Sequence, residues 1–151
     1  MAMVMIGIIT YSFTRPQEDK TEKKEKPVKG MVVQMTGDLY LKNIADYNDT
    51  KVFKFKGDKP VVIDFYADWC GPCRMVAPLM KELAKEYEGQ ISIYKVNVDN
   101  EKDLASALGI QSLPTIMFIP MKGDPQVIVG AADKTTFKQA IDQVLLGNPA
   151  K

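Results

Sequence analysis

The fold is decided by the stretch from Val61 to Cys73, which reads VVIDFYADWCGPC. Residues 61–66 are apolar or aromatic except for Asp64, and a short run without alternation predicts a β-strand buried on both faces. Cys70 and Cys73 follow this strand and are the only two cysteines of the chain. Two cysteines separated by two residues, where a strand passes into a helix, are typical of a redox-active pair. The stretch therefore predicts thiol–disulfide exchange with other proteins.

An amphipathic helix is predicted to leave the cysteine pair and to run from Arg74 to Tyr87. Apolar residues recur there at helical spacing with charged residues between them, and Pro72 falls near the start, where its missing N–H is harmless. The free N–H groups and the dipole at the start of a helix favour an anion. We therefore expect Cys70 to be the attacking thiolate and Cys73 to be the buried thiol that resolves the mixed disulfide.

The composition excludes several other classes of function. The chain has no histidine, which removes Ser-His and Cys-His catalysis and the commonest metal ligand, and two cysteines are too few for an ordinary zinc site. Lys and Arg number 20 against 19 Asp and Glu, and the two signs are interspersed, so no basic surface for nucleic acid is expected. No glycine-rich phosphate loop is present. We expect no metal, no cofactor and no nucleic acid.

The chain divides into three predicted segments. Residues 1–14 are almost wholly apolar, and as a helix they are shorter than the ~30 Å hydrocarbon core of a membrane, so they are interpreted as an apolar leader or an anchor-like segment. A disordered or mis-started leader is the alternative. Residues 15–30 are mostly charged and form a linker, and residues 31–151 form one domain. The apolar start favours a periplasmic or membrane-anchored location in the cell envelope, with the cytoplasm as the alternative.

The order of elements predicts an α/β fold, namely a mixed β-sheet with helices on both faces. The pattern of apolar residues and of Gly and Pro breaks gives the order βαβαβαββα. The segment 52–55 fits either a short strand or irregular chain. The predicted strands are 31–35, 61–66, 91–98, 115–119 and 126–129, and the predicted helices are 38–48, capped by Thr36, then 74–87, 101–108 and 134–146.

Three further residues are candidates for the chemistry of the cysteine pair. Asp64 is either an outward-facing carboxylate or a buried one, whose raised pKa would suit it to take a proton from Cys73. Lys95 lies in the next predicted strand, as a partner of Asp64 or as a surface lysine. Pro114 begins a strand, where a trans proline is allowed; a cis bond would bring residue 113 close to the cysteines and expose an edge for an incoming peptide.

The chain resembles the thioredoxin family over roughly residues 31–147. The resemblance rests on DFYADWCGPCRMVAP, on KVNVDN, on Leu-Pro-Thr before an apolar strand and on a late Val-Gly-Ala, all in the order of the family. It implies the thioredoxin fold and a protein-disulfide reductase that needs no bound cofactor. The chain departs from the family pattern at Tyr66, where many members have tryptophan, in the longer segment 43–59, and in the first thirty residues.

The resemblance also implies roles for single residues. Cys70 resembles the exposed attacking thiol and Cys73 the resolving one, while Asp64 matches the buried proton acceptor and Lys95 its neighbour. Pro78 matches a proline that kinks the helix, and Pro114 matches the cis-proline. A shallow apolar patch that receives the substrate is implied at Trp69, Gly71, Pro72, Leu113, Pro114, Gly130 and Ala131.

The residues between the cysteines bear on the direction of the reaction. Gly71 and Pro72 supply no positive group to stabilise the thiolate further, which favours reduction of targets over their oxidation. We expect a monomeric disulfide reductase that acts on disulfide-containing proteins and is recharged by an electron-donating reductase, with membrane contact through residues 1–14 left open. The alternatives are an oxidant or isomerase of the cell envelope and a redox-silent thioredoxin-like binding module. A purely structural disulfide is disfavoured, because closing a loop of two residues constrains little chain.

Overall fold

The computed structural model describes residues 29–49 and 51–148. The apolar leader at 1–14 and most of the charged linker therefore lie outside the described residues. Within the described part of the chain the order of elements is βαβαβαββα, as the sequence predicts. The strands are β1 (Val32–Gln34), β2 (Val61–Tyr66), β3 (Ser92–Asn97), β4 (Thr115–Ile119) and β5 (Gln126–Val129), and the helices are α1 (Gly37–Asn43), α2 (Gly71–Glu86), α3 (Lys102–Ala107) and α4 (Lys134–Ala140).

The strands form one mixed sheet in the order β1-β3-β2-β4-β5. β1, β3 and β2 run parallel, and β4 and β5 are antiparallel to their neighbours. The strand that leads to the cysteines is therefore central in the sheet, with β3 on one side and β4 on the other. Because β2 and β4 run in opposite directions, the end of β2 lies beside the start of β4, where Phe65 pairs with Thr115.

Each face of the sheet carries its own hydrophobic core. Val62 of β2 packs with α2 and α4 in a first core, in which Met80 and Phe137 are buried. Ile63, the next residue of β2, packs on the opposite face of the sheet. It belongs to a second core with residues of α1 and α3, in which Tyr40 of α1 is buried. Side chains of a strand alternate between faces, so β2 supplies both cores. This arrangement confirms the predictions that β2 is buried on both faces and that helices cover both sides of the sheet.

Two helices begin or end at other residues than the sequence predicts. α2 begins at Gly71 and not at Arg74, because the Sγ atom of Cys70 accepts the N–H of Cys73 at 3.3 Å and so caps the helix. α2 is assigned as one helix through Pro78. Thr36 is the N-cap of α1, as predicted, but α1 ends at Asn43 and not at residue 48.

The chain after α1 is held by local hydrogen bonds and forms no strand. Asp46 accepts the N–H of Asn48 at 2.9 Å in an Asx turn, which competes with a longer helix. Residues 52–55 are irregular, and the N–H of Lys56 reaches the carbonyl of Ile44 at 2.8 Å. The alternative of irregular chain is therefore confirmed for this segment.

The last predicted helix changes from α-helical to π-helical hydrogen bonding near its end. α4 ends at Ala140, and a π-helical turn, Ile141–Leu145, continues it. The N–H of Leu146 donates to the carbonyl of Ile141 at 3.1 Å, five residues back, which defines the wider turn. The prediction of one α-helix to residue 146 is therefore wrong in the type of its last turn. Among the described residues, no helix has both the length and the apolar character needed to cross a membrane.

Candidate active site at the end of the central strand

Cys70 and Cys73 form a disulfide at the start of α2. Their Cα atoms lie 5.4 Å apart, within the ordinary range for a disulfide. The N–H of Cys70 donates to the carbonyl of Ala67 at 3.2 Å, so the loop from β2 turns tightly into the helix. The prediction that the two sulfur atoms lie within bonding reach is confirmed.

Both cysteines are buried in this disulfide form, with 4% of each residue exposed. The expected contrast between an exposed Cys70 and a buried Cys73 is therefore wrong for the oxidised state. The two cysteines form one small cluster with Ala67, against which Leu113 packs. Bonding of the Cys70 sulfur to Cys73, together with these neighbours, removes it from solvent.

The start of α2 is suited to a sulfur anion. Cys70 is the N-cap residue of a helix of 16 residues, and no acidic residue lies in its first turn. The free N–H groups of that turn and the positive end of the helix dipole favour a negative charge on the capping sulfur. In the disulfide form the N–H of Cys73 already donates to the Cys70 sulfur at 3.3 Å.

Asp64 lies in the middle of β2 and only 3% of it is exposed. Burial raises the pKa of its carboxyl group to about 7, and the charge of Lys95 opposes that rise. Among the described residues, no donor reaches its Oδ1 atom. The prediction that Asp64 is buried is therefore confirmed, and the alternative of an outward-facing carboxylate is wrong.

Lys95 is the neighbour of Asp64 in the sheet but not its ion-pair partner. The two residues are paired in the register of β2 and β3. Within residues 29–49 and 51–148, the ion pairs join lysines of α4 to glutamates of α2, and none joins Lys95 to Asp64. The Lys95 Nζ atom lies 5.5 Å from the centre of the Tyr66 ring. The alternative of a surface lysine is only partly right, because Lys95 is half-buried and acts on Asp64 through its charge.

The loop before β4 brings further predicted residues beside the disulfide. The Leu113–Pro114 bond is cis, as the family resemblance implies, and Pro114 is buried. The N–H of Gly130 donates to the carbonyl of Pro114 at 2.8 Å, so the end of β5 is fastened to this loop. Ala131 follows at the surface. Leu113, Pro114 and Gly130 thus lie together at the end of the sheet where the disulfide is found.

Trp69 stands beside the disulfide with 69% of its surface exposed. Its indole Nε1 donates to Asp99 Oδ2 at 2.9 Å, which fixes the ring to the loop after β3. Next to it, Asn97 Nδ2 donates to Asp68 Oδ2 at 3.2 Å. Gly71 and Pro72 are also exposed, so all three residues are accessible to another protein.

Sequence reasoning missed three residues of this site. Asn97 ends β3 and Asp99 follows it, and because β3 runs parallel to β2 both residues lie at the same end of the sheet as the cysteines. Asp68 is the third, since its carboxylate accepts the side-chain amide of Asn97 in the turn before α2. Within the described residues, no cluster of acidic or cysteine side chains could hold a metal ion.

Comparison with known proteins agrees with this geometry. The sequence model of the thioredoxin family, described as "Thioredoxin", matches residues 41–143. A thioredoxin of Borreliella burgdorferi is 46% identical over 111 residues, which are 74% of this chain and 95% of that protein. Thioredoxin 1 of a Nostoc species is 48% identical over 88 residues, which are 58% of this chain and 82% of that protein.

A solved structure is similar as well. The crystal structure of chloroplastic thioredoxin z superposes with a TM-score of 0.64 at 28% identity, covering 76% of this chain and 94% of that one. The structural match confirms the fold, and the match to the family model extends over the Cys70–Cys73 pair. On the strength of the matched family model and of the Cys70–Cys73 pair at the start of α2, the chain belongs to the thioredoxin family and is a thiol–disulfide oxidoreductase.

Proposed function

We propose that the chain reduces disulfides of other proteins, with Cys70 as the attacking and Cys73 as the resolving thiol. The observation that carries this assignment is the position of Cys70 as the N-cap of α2, where its sulfur accepts the N–H of Cys73. Of the two sulfur atoms, this one gains most from the helix dipole as an anion. Cys73 lies one turn inside the helix and is supported less by the free N–H groups.

The reaction proceeds by two exchanges at sulfur. In the first, the Cys70 thiolate attacks one sulfur of the target disulfide, a mixed disulfide forms, and the other target sulfur leaves as a thiolate. In the second, Cys73 loses its proton and attacks Cys70, which restores the Cys70–Cys73 disulfide and releases the second target thiol. Two electrons pass to the target. An electron-donating reductase then supplies two electrons that reduce the Cys70–Cys73 disulfide again.

Asp64 is proposed as the acceptor of the Cys73 proton. A carboxyl with a pKa of about 7 is partly ionised at neutral pH and can both take and release a proton. Lys95 supports this role, because its charge limits the rise in the pKa of Asp64. Asp64 and Cys73 belong to consecutive elements, since only residues 67–70 separate β2 from α2.

The target is proposed to dock on the shallow patch around the disulfide. Trp69, Gly71 and Pro72 are exposed on one side of the two cysteines. On the other side, the loop at Leu113 and Pro114 is fastened to Gly130, and Ala131 is exposed beside it. An extended peptide could lie along the backbone of this loop. The monomeric state, the location in the cell envelope and the division into leader, linker and domain remain predictions.

The experiment that tests the assignment replaces each cysteine by serine in the full chain. Cys73→Ser should keep the first exchange and trap target proteins as mixed disulfides through Cys70. Cys70→Ser, the matched control, should trap far fewer targets, and both variants should lose turnover in the reduction of a protein disulfide. Equal trapping by the two variants would overturn the assignment of the attacking thiol, and a parent chain that reduces no protein disulfide would favour a binding module.

A second measurement decides between reductase and oxidant. The reduction potential of the Cys70–Cys73 couple should lie near that of strong cellular reductants, because the Gly71-Pro72 spacer adds no positive charge. A potential about 100 mV or more higher, near that of dedicated oxidants, would favour the oxidant instead.

A further inference from the structure

A cleft of about 300 Å³ lies between α2 and the edge of the sheet, away from the docking patch. Its apolar wall includes Val32 of β1 and Met80 and Ala77 of α2, and Met31 lies beside them. Ala77 is exposed, so the cleft opens to solvent there. The volume is at the lower end of the range for ligand pockets, roughly 300–1,000 Å³, and therefore suits a small molecule.

The polar groups of the cleft are three lysines and one carboxyl group. Lys81 and Lys85 of α2 are exposed, and Lys95 of β3 is half-buried. Within the described ranges none of the three forms an ion pair, since the ion pairs there join Glu82 and Glu86 to lysines of α4. The carboxyl group is Asp64, which is almost wholly buried and whose Oδ1 finds no partner among the described residues. An unpaired buried oxygen that borders a cleft is costly unless water in the cleft reaches it.

We propose that this cleft binds a small amphipathic anion, with its apolar part against Val32 and Met80 and its anionic group among the lysines. Charge complementarity selects the anion, because the cleft offers three ammonium groups and a single carboxyl. The apolar wall selects a ligand with a hydrocarbon portion over a simple inorganic ion. The proposal concerns a site distinct from the patch around Trp69 and Pro114.

Occupancy of the cleft acts on the reaction through Asp64. A ligand there displaces water from the carboxyl, which favours the neutral form of Asp64 and slows removal of the Cys73 proton. The ionisable groups that interact with the charge of Asp64 are Lys95 from β3 and Tyr66 further along β2, and the exposed Lys81 and Lys85 of α2 line the same cleft. β4 places Ile116 beside Asp64 and adds no charge. The anion should bind more tightly below pH 7, where Asp64 is neutral, than above it.

Binding is tested with octanoate as the probe and with octanol and octylamine as matched neutral and cationic probes. The full oxidised chain is titrated with each while the backbone amide signals are followed by NMR. Octanoate should shift the signals of Ala77, Met80 and Lys81, with an affinity at least 5-fold higher than that of octanol, and octylamine should bind still more weakly. No shift at these residues overturns the proposal, and so does equal affinity for the three probes.

The lysines are tested by a double variant with a matched control. Lys81→Gln with Lys85→Gln should reduce the preference for octanoate over octanol to 2-fold or less, because the apolar wall is unchanged. Lys122→Gln, in the exposed turn between β4 and β5, should keep the full preference. If the double variant keeps it too, the charge argument is wrong.

The effect on the reaction rests on the proposed role of Asp64 and has its own readout. Saturating octanoate should slow the resolution step at pH 7 at least 5-fold in single-turnover experiments, and the double lysine variant should be insensitive to the same concentration. Binding without any slowing would overturn the action through Asp64 and leave the ligand site standing. Failure of Cys70 to form mixed disulfides would refute the proposed function and would not alter the NMR titration.

Discussion

Replacement of Asp64 by asparagine should stabilise the folded protein, and the gain should depend on pH. Burial raises the pKa of Asp64 from 3.8 to about 7, a rise of about 3 units. Each unit corresponds to 1.36 kcal/mol, so ionising this carboxyl in the folded state costs about 4 kcal/mol more than in the unfolded chain. The folded state holds the proton more tightly, and this cost is therefore absent below pH 3.8, grows as the pH rises, and is complete above pH 7.

Asparagine cannot ionise, so Asp64→Asn removes that cost. The free energy of unfolding of the variant minus that of the parent chain should rise by about 4 kcal/mol between pH 3.5 and pH 8.5. Any fixed effect of placing an amide in the same site is equal at both pH values and drops out of this comparison. The expected difference is a large part of the 5–15 kcal/mol total stability of an ordinary domain.

The assay is denaturant unfolding of the oxidised protein at four pH values between 3.5 and 8.5, followed by circular dichroism. Oxidised protein is required, because free cysteines would titrate in the same range. Asp124→Asn, in the exposed turn between β4 and β5, serves as the matched control and should give a difference that varies far less with pH. A difference for Asp64→Asn that stays flat, within about 1 kcal/mol across this range, would refute the claim that the buried carboxyl has a raised pKa.

Three further changes test the fold and the site. Phe137→Ala should lower the free energy of unfolding, measured with denaturant, by about 3–5 kcal/mol, because the ring is fully buried between α4 and the sheet. Thr135→Ala on the exposed side of α4 should change it by about 0.5 kcal/mol or less. Gly130→Val should lower the free energy of unfolding by about 1–3 kcal/mol, because the φ angle of +92° at this position disfavours a β-branched residue. An unchanged midpoint of thermal unfolding would contradict this. Asp99→Ala should free the indole of Trp69, the only tryptophan, and lower its time-resolved fluorescence anisotropy; an anisotropy decay identical to that of the parent chain would show that the hydrogen bond does not fix the ring.

The elements next to the cysteines could be predicted from sequence because their signals are local. The unbroken apolar run of β2 and the amphipathic spacing of α2 depend on neighbours in the chain, and both elements were found where expected. The start of α2 was missed by three residues, since a cysteine sulfur is not among the usual N-cap groups. The change to a π-helical turn after Ala140 has no signal that periodicity can detect.

The parts of the site that depend on tertiary contacts could not be predicted from residue patterns. Whether Asp64 faces solvent or a core depends on which helix covers its side of the sheet, and the pattern left that open. The hydrogen bond from Trp69 to Asp99 joins residues 30 positions apart, and no sequence pattern within either segment predicts it. The cis Leu113–Pro114 bond was expected only because the chain resembles a family, since the base rate for proline favours trans.

The division of β2 between two cores limits how this gene can change in length. Insertion or deletion of one codon within residues 61–66 would turn every later side chain of the strand to the opposite face. Asp64 would then point away from α2, and residues shaped for one core would enter the other. The irregular segment 51–60 packs Phe53 and Phe55 against the second core but supplies no strand to the sheet, so length variation among descendants of this sequence should accumulate there and spare the strand.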